Sequence, residues 1–294
     1  MESLISNFID YLHNEKNTSG NTELSYERDL KKLTAYLKKQ GIESMDQVRE
    51  TDLKGYLAKL QREGYESSTI SRNIASIRSF FLYLFKRGTI REDPAENLKA
   101  PKVEKKMPEI LTVEEVDRLL RQPNPETYKG MRDKAMLELL YAAGMRVSEL
   151  LALKTEDLNL SFGYVICHDQ SRERVIPIGN VSRDVLAAYM DHARSYFVKD
   201  ETEKVLFTNC SGRPMSRQGF WKMLKGYALE ADIHRDITPH TLRHSFAAHM
   251  LQNGADIKSV QEMLGHSDIS STQVYLGLDS VKMRDVYMKA HPRR

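Results

Sequence analysis

The stretch from Thr238 to Tyr275, TPHTLRHSFAAHMLQNGADIKSVQEMLGHSDISSTQVY, constrains the fold more than any other part of the chain. It opens on a helix start. Thr238 is a capping residue, and Pro239 suits the first helical position, where an N–H would go unpaired anyway. Leu242, Phe246, Ala247, Met250 and Leu251 recur at helical spacing and define a side to be buried. His240 and Arg243, three residues apart, share another face. Gly254 stops this helix in a left-handed turn. A second helix over 257–264 ends at Gly265, His266 stands in the turn, and Ser267 or Ser270 caps a third short helix that carries Tyr275.

Two histidines, one arginine and a tyrosine are thereby drawn together, a set suited to a negatively charged substrate. Arginine grips phosphate oxygens bidentately and keeps its charge. Histidine holds a phosphate oxygen or moves a proton near neutral pH. Tyrosine can act as a nucleophile through a covalent intermediate. His240 and His244 lie four apart, but residue 241 is Thr and not the Glu of a zinc-protease helix, so no metal site is expected.

A chain of 294 residues with 40% hydrophobic residues is expected to form two domains. Residues 1–98 read as an all-α bundle, with apolar stripes through Ile5, Phe8, Ile9 and Leu12, then Tyr26, Leu30, Leu33 and Leu37, then Leu53, Tyr56, Leu57 and Leu60. A fourth helix from Ser67 or Ser68 buries Ile70, Ile74, Ile77, Phe80, Phe81 and Leu84. From Ser67 to Arg91 there are five basic residues and no acid, a charge of +5 in a chain of net charge +3. Clustered cations bind phosphates by releasing counterions, so Arg72, Arg78, Lys86 and Arg87 are candidate DNA contacts. Three prolines, Pro94, Pro101 and Pro108, block helix over residues 93–109, and Lys99, Lys102, Lys105 and Lys106 mark residues 99–109 as a basic linker.

The second domain, 110–294, is expected to be mainly α with a small antiparallel β-sheet. Thr112 caps its first helix, and a helix from Tyr128 breaks at Gly144. Arg146 then leads into a short helix over Val147–Ala152. Strands are expected at Tyr164–His168 and Arg174–Ile178, with VLFTN as a further short strand. Trp221 is expected in the core. A last helix over 279–290 carries too few apolar residues for a core helix, and its Val281, Val286 and Met288 are expected to dock on another molecule. The two cysteines, Cys167 and Cys210, form no disulfide framework and fit a reducing cytosol. No apolar run approaches a membrane span and the N-terminal stretch has no signal-peptide pattern, so a cytoplasmic protein is expected, with no membrane partner.

HTLRH at 240–244, LGH at 264–266, Tyr275, and GMRVSEL at 144–150 together resemble the active-site set of the tyrosine recombinase (phage integrase) family. The ordered set is more specific than any one piece, and the resemblance covers essentially the whole chain. The ending HPRR is similar to that of the bacterial Xer subgroup. The resemblance implies a two-domain DNA clamp with Arg146, His240, Arg243, His266 and Tyr275 as catalytic residues, and no cofactor. It implies double-stranded DNA carrying a recombination site as substrate and a homo- or heterotetramer with a related recombinase, located at the nucleoid. A DNA translocase is among the partners it allows, and the tail passes to a neighbouring subunit. The implied role is resolution of chromosome dimers at cell division, with the integrase of a mobile element as alternative. One departure bears on the chemistry. The family's hairpin lysine, which protonates the leaving 5′ oxygen, falls at Asp169, and no lysine lies between Lys154 and Lys199. Arg172 remains in the hairpin, but a guanidinium gives up a proton poorly. A catalytically weak DNA-binding member of the fold is therefore the other alternative.

Overall fold

A computed structural model describes residues 1–101, 109–168, 173–198, 200, 202–265 and 286–293. Asp169, Arg172, His266, Tyr275 and most of the expected linker lie outside the described residues. The chain divides into two compact units, Met1–Lys106 and Met107–Arg294.

The first unit consists of α1 (Glu2–Asn14), α2 (Gly20–Lys39), α3 (Glu50–Arg62) and α4 (Ser67–Lys86), with a 3-10 turn between α2 and α3. Their apolar stripes close one core, in which Phe8, Leu33, Leu37, Leu53, Ile77, Phe80, Phe81 and Leu84 are fully buried. Phe8 meets Phe80 edge-on at 5.3 Å. Each such side chain contributes about 1.5–3 kcal/mol on burial, which is why spacing alone places the helices. The cap of α2 is Ser19, whose hydroxyl accepts the Thr22 N–H, so this helix starts slightly earlier than its apolar pattern.

The second unit contains α5 (Val113–Arg121), α6 (Tyr128–Ala143), α7 (Val147–Ala152) and strands β1 (Leu158–Asn159), β2 (Tyr164–His168) and β3 (Glu173–Pro177). It continues with α8 (Asn180–Ala188), a π turn (Tyr189–Ala193), α9 (Arg194–Phe197), α10 (Arg217–Glu230), α11 (Pro239–Gln252) and α12 (Ile257–Leu264). The sheet is antiparallel in the order β1-β2-β3, and β1 was not legible because two residues carry no alternation. α6 is buried nearly all round and runs through the core. It also buries charge: Asp133 accepts from Arg132, Lys129 and the Tyr227 hydroxyl at 2.7–3.0 Å.

Two expectations give way, and the tail adds contacts of its own. The segment VLFTN makes only isolated bridges, Lys154 to Val205 and Thr208 to Pro214, because no neighbouring strand continues the ladder. Trp221 is 42% exposed, with the Lys225 ammonium 4.1 Å from its ring centre; Phe220 and Leu224 take the buried face of α10 instead. The described part of the tail docks on its own chain. Val286 and Met288 pack against the unit's core, Tyr287 is fully buried, and its hydroxyl accepts the Gly179 N–H at 3.2 Å. His291 stacks on Tyr287 at 4.6 Å. Arg293 donates to buried Glu138 at 2.5 and 2.8 Å and to Asp117 at 2.6 Å. The apolar count was low because polar groups, paired inside, do part of the docking. Val281 lies outside the described residues.

Candidate active site

Two glycine turns and the start of α11 build the site. α6 ends at Gly144 in the left-handed region, φ +57, and a Cβ there would lie 2.6 Å from Phe246 Cε1. Only glycine allows both that turn and the close approach of α11. The turn delivers Arg146 to the N-cap of α7, where its N–H donates to Glu149 Oε2 at 2.7 Å and its Nη1 to Glu149 Oε1 at 2.9 Å. Glu149 is itself buried. α12 ends at Gly265, φ +64, and Arg146 Nη2 donates to the Gly265 carbonyl at 3.2 Å.

α11 starts as its sequence requires: the Thr238 hydroxyl accepts the Thr241 N–H, with Pro239 in the first turn. His240 is exposed in that first turn. Arg243, one turn on, is 5% exposed; its Nη1 donates to the Gly144 carbonyl at 2.9 Å and its Nη2 to the Leu264 carbonyl at 2.5 Å. Burial, and then the nearby charge of Arg146, lower the Arg243 pKa to about 10, which leaves the group protonated at neutral pH. Arg243 thus spans the end of α6 and the end of α12 while retaining further N–H donors. Two cations, fixed on backbone carbonyls, form a preorganised anion site. They stand at the turn directly before His266.

Other histidines are separated from this site by their surroundings. His244 is exposed one turn after His240, its pKa lowered by burial and by the His240 and Arg243 charges. His249 is buried and hydrogen-bonded at 2.8 Å to the Tyr141 hydroxyl, a packing role. Among the described residues no group of three His, Cys, Asp or Glu is arranged to hold a metal ion, and no helix is long and apolar enough to cross a membrane.

Arg174 falls in the Arg172-Glu173-Arg174 run that aligns the hairpin with the family pattern, but the sequence gives it no role in the site. Its Nη2 donates to Glu149 Oε1 at 3.0 Å. The available signal was strand alternation, because Arg174 stands opposite buried Cys167 across β2–β3.

In the first unit the four candidate DNA-contacting cations separate into two kinds. Arg72 is forked onto buried Asp29, Nε to Oδ2 at 2.9 Å and Nη2 to Oδ1 at 3.0 Å. Arg87 pairs with Glu15 at 3.2 Å and lies over the Tyr83 ring. Arg78 and Lys86 are exposed, with no carboxylate partner among the described residues. α2 adds Arg28, Lys31 and Lys32 on its exposed face, and the Lys32 ammonium stands 5.2 Å from the centre of the Tyr65 ring.

Residues 109–281 match the phage integrase family, and residues 5–88 match the N-terminal SAM-like domain of phage integrases. The chain belongs to the phage integrase family of tyrosine recombinases. It is 46% identical over 296 residues to the tyrosine recombinase XerD of Oceanobacillus iheyensis, covering 100% of this chain and 99% of that one. It is 43% identical over 294 residues to the XerD of Staphylococcus haemolyticus, over the full length of both. Among solved structures, its fold is similar to the Tn1549 transposon integrase in complex with transposon right end DNA, with a TM-score of 0.73, 21% identity and coverage of 97% and 98%. It is also similar to the XerH site-specific recombinase bound to its difH substrate, with a TM-score of 0.70, 20% identity and coverage of 97% and 82%. The mainly helical fold with one small antiparallel sheet is therefore that of this family.

Proposed function

We propose that this tyrosine recombinase cuts and rejoins double-stranded DNA at a specific site through a covalent bond at Tyr275, and that it resolves chromosome dimers at cell division. The Tyr275 oxygen attacks a backbone phosphorus. A phosphotyrosine bond forms at the 3′ side, the bond to the 5′ oxygen breaks, and that oxygen takes a proton. Arg146, Arg243, His240 and His266 hold the two non-bridging oxygens and stabilise charge that grows in the transition state. The phosphotyrosine stores the bond energy, so attack by a 5′ hydroxyl of the partner duplex reverses the step. The observation that carries this reading is the pair Arg146 and Arg243, fixed on the carbonyls of Gly144, Leu264 and Gly265. Helix α4 contributes DNA contacts from Arg78 and Lys86, in a clamp with the second unit. The active form is a homo- or heterotetramer with a related recombinase, located in the cytoplasm at the nucleoid, and a DNA translocase is a partner to test there.

Covalent trapping on nicked suicide DNA tests the nucleophile. Tyr275→Phe removes one hydroxyl and abolishes adduct while DNA binding stays. Adduct surviving in that variant would sink the assignment. The nearest tyrosine in sequence, Tyr287, is no substitute, because it is fully buried and burial raises its pKa. With Asp169 in place of the lysine, a substrate bearing sulfur at the 5′ bridging position, which leaves without a proton, is cleaved roughly a hundredfold faster than normal DNA. Asp169→Lys shrinks that advantage. Equal rates on the two substrates would show that another group supplies the proton. Sequencing DNA recovered with the protein from cells separates the roles: one chromosomal site fits dimer resolution, and the ends of a mobile element would mean an integrase.

A further inference from the structure

Helix α11 buries a row of polar side chains that the phosphate site does not use. Thr241, Ser245 and His249 recur one helical turn apart, so they share a face, and they are 5%, 0% and 3% exposed. Two of them hold the start of the second unit, where the chain leaves the basic linker. The Ser245 hydroxyl donates to the Thr241 carbonyl at 2.8 Å and accepts the Leu111 N–H at 2.9 Å. His249 also hydrogen-bonds the Leu111 backbone, and the Leu111 side chain is fully buried in the core of the unit. From the loop ahead of α11, Arg235 Nη1 donates to the Ile110 carbonyl at 3.0 Å and its Nη2 to Glu115 Oε1 at 2.9 Å. The other oxygen of Glu115 accepts the Thr112 N–H at 2.8 Å. Backbone groups of three successive residues, 110–112, are therefore all held, Ile110 and Leu111 by α11 and the loop before it.

We infer that the linker exit and α11 form one joint, in which Ser245 and Arg235 are positioning residues: through them the point where the linker enters the second unit sets the placement of His240 and Arg243. The inference rests on the recombinase reading above. The ends of a compact unit stay loose unless they are tied down. This end is fastened at each residue, and to the helix that carries both motif side chains. The turn that Ser245 closes back onto Thr241 is the turn that contains Arg243. A displacement of residues 110–112 has to move that turn with it, or break buried hydrogen bonds and leave their donors and acceptors unpaired. Packed interiors compress little, so such a shift is passed on rather than absorbed. Misplacing a reacting group by about 1 Å is enough to cost roughly a hundredfold in rate. Arg235 suits the part because its planar fork reaches a carbonyl and a carboxylate at once, which a lysine ammonium does not.

A double-change cycle in single-turnover adduct formation tests this, on nicked suicide DNA at saturating protein, with the half-saturating protein concentration measured alongside. Its two arms are Arg235→Gln and a Gly-Ser-Gly-Ser insertion after Lys105, which slackens the linker. Arg235→Gln should slow cleavage by about fivefold or more, the low end of coupling between sites, and leave half-saturation unchanged. Arg235→Lys, which keeps one of the two bonds, should fall between the Gln variant and the wild type. The insertion should also slow cleavage. Both changes together should be no slower than the slower of the two, because each breaks the same joint. Ser245→Ala should behave as Arg235→Gln in the same cycle. Losses that multiply would make Arg235 a structural part acting on its own and overturn the inference. A wild-type rate for Arg235→Gln, or an insertion without effect on the wild type, would overturn it as well. Should Ser245→Ala fail to fold, Arg235, whose side chain is 45% exposed, decides alone. Wild-type protein that binds the DNA and forms no adduct would instead sink the recombinase reading itself.

Discussion

The cations of α11 and α7 and the cations of α4 are built on opposite plans. Arg243 is 5% exposed and hangs on two backbone carbonyls, so its position is set before any anion arrives. On α4 the side chains of Arg72 and Arg87 are 45% and 56% exposed and already hold carboxylates, while Arg78 and Lys86 reach into water. A fixed, desolvated charge stabilises a transition state because it costs no reorganisation at the moment of reaction. A mobile surface charge adds affinity that salt screens. The contrast fits a division between chemistry in the second unit and adhesion to DNA in the first. It also shows that a basic helix face is not uniform, since one of its arginines is committed to the fold.

The largest expected effect breaks the fixed side of this contrast. Arg243→Ala should cost roughly 3 kcal/mol in the transition state, about a hundredfold in cleavage rate at saturating protein. It should also lower the melting temperature, because the buried carbonyls of Gly144 and Leu264 lose their donors. A variant that cleaves at the wild-type rate would contradict the preorganised site.

The next effect asks whether polar groups buried in the second unit are tied to its fold. Burial holds the His291 pKa down to about 3, against an ordinary 6.5. The unfolded chain therefore binds this proton first. Stability from this group is complete above pH 6.5 and is lost as the pH falls toward 3. The loss should reach about 2 kcal/mol by about pH 5, at 1.36 kcal/mol per pKa unit. His291→Phe should flatten that part of the stability curve, measured by melting at pH 7 and pH 5. The same slope in both proteins would assign the pH dependence elsewhere.

A smaller effect sharpens the α4 side. Arg72→Ala strands the Asp29 carboxylate, which is 1% exposed, and should destabilise the first unit by about 1–2 kcal/mol, below the usual figure for a buried pair because Arg72 is half in water. Its salt dependence of DNA binding should barely move. Arg78→Ala and Lys86→Ala should do the reverse, leaving melting unchanged and flattening the salt slope by about one unit each. If Arg72→Ala changes the slope as much as Arg78→Ala, the separation between structural and DNA-facing arginines fails.

Much of this molecule was legible in its sequence, for reasons that differ by region. The helices of the first unit follow from apolar spacing, and α7 and α12 fall at Val147–Ala152 and Ile257–Leu264 as read, because Gly144 stops the helix before α7 and Gly265 ends α12. Trp221 was misread because an aromatic residue beside a buried Phe220 looks like core until the helix face is fixed by its neighbours. The packing of the end of the tail was not legible because hydropathy counts apolar side chains, whereas Tyr287, His291 and Arg293 pack through stacking and ion pairs that only their partners make favourable.

By itself the sequence determined the family, the two-unit division of the helical patterns, and the residue types of the site, since each depends on local spacing along one chain. Tertiary structure alone decided what those residues do for one another. It hung Arg243 between the ends of α6 and α12, joined Arg174 to Glu149 across 25 positions, and turned Arg72 from a surface cation into the partner of Asp29. The physical reason is that the availability of a charge depends on its counter-charges, and these arrive from distant positions only when the chain has folded.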